Sequence, residues 1–131
     1  MNLSNAGRGL AVTLVAYIVC DVLLTPPAGI ETRNPADVTV LGIASLVLLF
    51  VGLALSIVAL LLLFRRARRS PILAIVAAVL FLPAFLAEQT GHFSSLQAPT
   101  AIERIELVQV VIALLIIVFS FWMLRRGAAG D

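Results

Sequence analysis

Polar residues fall in short clusters along this chain, and between them lie four apolar runs too uniform to be one-sided surface helices. The first, Gly9 to Thr25, is 17 residues long with a single charge, Asp21, near its far end. The second, Val38 to Phe64, has 27 residues and no charge. The third begins at Ser70-Pro71 and reaches Gln89, and the fourth opens among Ile102 to Glu106 and ends at Leu124, before Arg125-Arg126. At about 1.5 Å per helical residue the first run covers about 26 Å and the second about 40 Å, against an apolar bilayer core of about 30 Å. The pattern predicts an all-α polytopic membrane protein, a single membrane domain over residues 1–131. Its four-transmembrane-helix bundle has helices at about 9–25, 38–64, 71–89 and 103–124 and short loops.

Local signals refine these elements. Ser70 is the expected N-cap of the third helix, with Pro71 where a helix needs no donor, and Pro83 is expected to kink it. The connection RRARRS is short enough to force the second and third helices into an antiparallel hairpin. A cleaved signal is not expected in the first run, because Val19 precedes Cys20 where a lipoprotein site needs a small residue, and no Ala-x-Ala pattern precedes a mature chain.

In lipid, helices associate through close backbone approach and buried polar contacts, so small residues mark interfaces. At 100° per residue Gly42, Ser45, Gly52 and Ser56 fall within about 80° of one another, and they form the expected packing stripe of the second helix. Ala74, Ala77, Ala78 and Ala84 offer a matching surface on the third. Glu106, Gln109, Ala113 and Ser120 fall within about 60° on the fourth, and Thr13, Tyr17 and Cys20 share a face of the first, with Asp21 at its edge. Such stripes serve equally for a homo-oligomer or for docking on another membrane protein.

Composition reinforces the membrane reading: the chain is 62% hydrophobic and 12% charged, with a mean hydropathy of +1.14, where soluble proteins average about 25% charged. A soluble enzyme, a disulfide-rich domain and a disordered chain are excluded. All nine basic residues are arginine, which removes lysine nucleophiles, Schiff-base chemistry and a Walker A lysine. One cysteine and one histidine leave no CxxC pair and no bis-histidine haem within one chain. No cofactor and no metal are expected, and a net charge of +2 suggests no nucleic-acid partner.

Arginine is retained on the cytoplasmic side when it lies in short loops near helix ends. Arg8, Arg65, Arg66, Arg68, Arg69, Arg125 and Arg126 share one side, so both termini are expected to be cytoplasmic (N-in/C-in). The Arg65 to Arg69 cluster and Arg125-Arg126 set topology and meet anionic lipid headgroups. The all-arginine, alanine- and valine-rich composition points to a bacterial inner (plasma) membrane. The opposite side holds Arg33 and Arg104 against Asp21, Glu31, Asp37, Glu88, Glu103 and Glu106, an acidic outer crown.

Ionisable groups inside a membrane span are costly and each needs a reason. Asp21, Glu88, Glu106 and Gln109 converge near the outer boundary, and His92 shares a face with Glu88 if the third helix continues past Gly91. This candidate polar site could hold a cation, relay protons or orient a headgroup. The plainer alternative is a solvated cluster, or carboxylates paired with an arginine such as Arg104. Tyr17 could donate to Asp21 one turn on, or fill space. The leading functional expectation is a non-enzymatic accessory or assembly subunit acting through helix packing. The alternatives are a small transporter or proton-binding protein using the outer carboxylates, and an enzyme or binder for a lipid-like substrate with a cavity between its helices.

Overall fold

A computed structural model describes residues 5–24, 33 and 35–127 of the chain. It contains α1 (Asn5–Leu24), a short 3₁₀ turn at Pro35–Asp37, α2 (Val40–Phe64), α3 (Ser70–Gln89) and α4 (Thr100–Gly127). All four α-helices are long and apolar enough to cross a membrane, and among the described residues the only β pairing is an isolated bridge between Val38 and Ser94. Part of the first expected loop, residues 25–32 and 34, lies outside the described residues.

Each helix lies beside its neighbours in sequence and α4 closes the ring against α1, with the α2/α3 hairpin as the most extensive contact. The arginine-rich α2/α3 connection lies at one end of the bundle, the basic end. The α3/α4 connection lies at the other, the acidic end. Leu10, Leu14, Tyr17, Ala59, Leu63, Ala74, Phe81, Ala113 and Ile116 fill the centre. Large apolar side chains point outward from every helix, among them Val12, Ile43, Ile72 and Val118. A bundle apolar on both its inside and its outside suits lipid as its solvent.

The helix limits differ from the sequence expectation where local chemistry intervenes. The second helix starts at Val40 rather than 38, because Val38 is held in its bridge and Thr39 is the N-cap, accepting from the Gly42 amide at 3.0 Å. Ser70 is not the N-cap of α3. It is the first helical residue, and its hydroxyl donates to the Ala59 carbonyl at 2.9 Å, tying α3 to α2. The fourth helix begins at Thr100 rather than 103, where Pro99 accepts from the Glu103 amide at 3.1 Å. It also runs on to Gly127, past the arginines expected to stop it. Charge ends the apolar span but not the helix, since cations are favourable at a helix C-terminus. The first helix begins four residues earlier than expected, at Asn5, and ends at Leu24.

Gly42, Ser45, Gly52 and Ser56 are all buried. A Cβ at Gly52 would lie 3.2 Å from the Ala77 carbonyl oxygen and 3.7 Å from the Tyr17 hydroxyl, so the missing side chain lets α2 approach α3. The serine hydroxyls turn back to their own helix, Ser45 to Leu41 at 2.9 Å and Ser56 to Leu53 at 2.7 Å. They act as small spacers, not as bonds between helices.

Candidate polar site at the acidic end

The segments flanking the 3₁₀ turn and following α3 pair across the acidic end. Ser95 N–H donates to Asp37 at 3.0 Å and Thr39 N–H to Phe93 at 2.9 Å. The Phe93 carbonyl presses so closely on α2 that a Cβ at Gly42 would lie 2.2 Å from its oxygen. Gly42 therefore packs against this cap and not against a helix.

The end of α3 decides the fate of His92. Gly91 takes φ +74°, its N–H bonds Glu88 at 3.2 Å, and the His92 N–H bonds Ala87 at 2.9 Å. This paired bonding is the Schellman stop, which a glycine in the left-handed region makes possible. The chain turns away before one more turn could bring His92 onto the Glu88 face. His92 is exposed, with Nδ1 2.8 Å from the Thr90 hydroxyl. The expected sharing of a face by Glu88 and His92 is corrected accordingly.

Glu88 instead meets Arg33. The two form a two-pronged ion pair, Nη1 reaching Oε2 at 3.2 Å and Nη2 reaching Oε1, with side chains only 5% and 7% exposed. The guanidinium also lies 5.1 Å over the Phe93 ring. Excellent geometry with additional contacts is what offsets the desolvation of two buried charges. Arg104, the example of a pairing arginine that the sequence offers, is exposed. The charge count singled out two bases on this side. Only the folded cap chooses between them.

One layer deeper, Asp21 is 1% exposed and Gln109 fully buried. The Gln109 amide donates to Asp21 Oδ1, joining α4 to α1. Asp21 thus lies within the buried face of α1 and not at its edge. Asp21 Oδ2 and Gln109 Oε1 are buried with no hydrogen-bond donor among the described residues. Tyr17, one turn away, does not donate to Asp21. It packs edge-on against Phe81 with ring centroids 6.4 Å apart, and its hydroxyl donates to the Ala77 carbonyl at 2.7 Å. Glu106, three residues before Gln109 on α4, is 5% exposed.

Between this layer and the cap is a cavity of about 80 Å³. Arg33, Glu88 and Glu106 supply its polar wall, and Leu46, Leu49, Phe81, Ala84 and Ile102 are among its apolar lining. A sterol or acyl chain needs several times that volume. At about 30 Å³ per water, the space suits two or three waters or a solute of a few atoms. Of the five candidate residues, Glu88 and Glu106 line this cavity, Asp21 and Gln109 bond each other, and His92 is exposed at the α3/α4 turn. Among the described residues, no group of three or more His, Cys, Asp or Glu side chains could hold a metal ion.

Comparison with protein-family models, with curated proteins and with solved structures gave no match.

Proposed function

We propose that this is a multi-pass membrane protein, both termini cytoplasmic, whose working part is an intramembrane carboxylate site near the outer boundary that binds a proton or a small cation. One observation carries the reading: Asp21, 1% exposed, keeps a carboxylate oxygen without a donor among the described residues, beside a glutamine oxygen in the same state. Two neighbouring buried acceptors left in that condition cost several kcal/mol in a low-dielectric interior. A proton, a cation or a bound water relieves both at once. The geometry needs Asp21 as the charge-bearing group, Gln109 as the residue that fixes its orientation, and the Arg33–Glu88 pair as the roof.

The small-residue stripes that supported an accessory-subunit reading are occupied within the chain. Gly52 packs on α3 and Gly42 on the cap, so these residues no longer argue for an outside partner. The cavity beside Glu106 is too small for a lipid-like substrate, and the larger hollow of about 380 Å³ between Glu88 and Glu103 is walled mainly by polar groups of the α3/α4 connection, which suits an acyl chain poorly.

The test is infrared difference spectroscopy on the protein in nanodiscs, stepping pH at fixed sodium and then sodium at fixed pH. A carboxyl band that appears with acid and is abolished in Asp21→Asn supports proton binding, and one that responds to sodium supports a cation. A band unchanged by the substitution, or no response to either step, refutes the site.

A further inference from the structure

Among the described residues, the two sides of the buried Asp21–Gln109 pair differ in what lies beside it. On the acidic side, Glu106 belongs both to the wall of the 80 Å³ cavity and to the α4 face that carries Gln109. Three helical residues place these two side chains about 4.5 Å apart along the axis. The cavity's polar wall of Arg33, Glu88 and Glu106 offers the two to four polar partners that a buried water requires. On the basic side the centre is closed by Leu10, Leu14, Ala59, Leu63, Ala74 and Ile116, all 0% or 1% exposed. Three of the buried hydroxyls there are turned aside: Thr13 donates to Gly9 at 2.9 Å, Ser56 to Leu53 at 2.7 Å and Ser70 to Ala59 at 2.9 Å; the fourth, Ser120 on α4, is fully buried with no hydrogen-bond partner among the described residues and is one turn from the apolar Ile116. A carbonyl-bound hydroxyl in apolar packing does not make a water path.

We infer that the cavity under the Arg33–Glu88 roof is a water-filled antechamber that, with Glu106, connects Asp21 to the aqueous phase at the acidic end and to no other. This rests on the carboxylate site proposed above and names its ligand route: a proton arrives on water in the cavity, passes by way of Glu106 to the Asp21 carboxylate, and leaves Glu106 as it was. Among the described residues, the titratable and charged groups on the elements around Asp21 are Tyr17 and Cys20 on its own helix, Glu106 on α4, and Glu88 with Arg33 at the rim. The second helix carries none between Val40 and Phe64. A site open on one side only senses or buffers the acidic-end phase and does not conduct across the bundle.

The test uses the full chain in vesicles with one orientation and follows the Asp21 carboxyl band after a pH jump applied to either face. In wild type the band should respond promptly to the acidic-end jump and lag for the other until protons have leaked across the vesicle. Ala84→Leu fills the antechamber, and Leu49→Phe does so at a second lining position should the first fail to fold. Either should slow the acidic-end response about tenfold, equal to about 1.4 kcal/mol on the barrier, with the final band unchanged. Equal response to both faces overturns the inference, as does an unchanged rate in a folded filling variant. Both outcomes leave Asp21 titrating and so leave the site standing. A wild type without an Asp21 band refutes the site itself and the antechamber with it.

Discussion

Arg33 is the residue on which the acidic end depends. It meets Glu88 through both guanidinium prongs, stacks its charge on Phe93 and reaches the Leu96 carbonyl at 3.4 Å, with its side chain 5% exposed. Removing one member of such a pair strands a buried charge, whereas removing both does not. Arg33→Met is expected to destabilise the protein by about 3 kcal/mol, and adding Glu88→Leu should recover part of that loss. Thermal unfolding of the two single variants and the double variant in detergent checks this. Additive losses would show that Arg33 works through Phe93 and Leu96 alone. Gly42 shows the same dependence on the cap, since its missing Cβ is what admits the Phe93 carbonyl.

Helix ends, more than helix middles, decide the elements. The second helix closes with a Schellman stop like that of α3: Arg66 N–H bonds Leu63 at 3.0 Å and Ala67 N–H bonds Leu62 at 2.9 Å. Here the left-handed position is taken by Arg66, at φ 56°, where a Cβ is costly and glycine is the usual choice. An arginine there sacrifices local stability and keeps a positive charge in the hairpin turn. Arg66→Gly should therefore raise the unfolding free energy by about 1 kcal/mol, read by thermal unfolding. A loss of stability would mean that the guanidinium contributes more than the strained backbone costs. The apolar runs and the hairpin were legible because burial in lipid demands long uncharged segments. The helix limits were not, because Thr39, Ser70 and Gly91 act through bonds to residues brought near by the turn or by a neighbouring helix.

At the scale of the molecule, the arginines of the α2/α3 connection, Arg8 and Arg125 are exposed, while the carboxylates gather at the opposite end. With the basic end cytoplasmic, Glu103 lies near the outer surface. A Glu103→Cys variant on a Cys20→Ser background should then react with a membrane-impermeant thiol reagent added to intact cells, and Arg68→Cys should react only after lysis. The reverse pattern would invert the bundle and place the antechamber on the cytoplasmic side.

Read alone, the chain determined that four helices form, which arginines cluster, and which polar and small residues share a face, because each of these follows from periodicity within one segment. The small-residue face of α2 and the polar stripe of α4 are buried for that reason. Which groups meet is a different matter. The choice of Arg33 over Arg104 for Glu88, the turning away of His92, the pairing of Asp21 with Gln109 across 88 positions of sequence, and the cavity beneath the cap all depend on how separate segments lie in space. Only the tertiary structure decided those, because helical periodicity says which side of a helix is buried and nothing about what buries it.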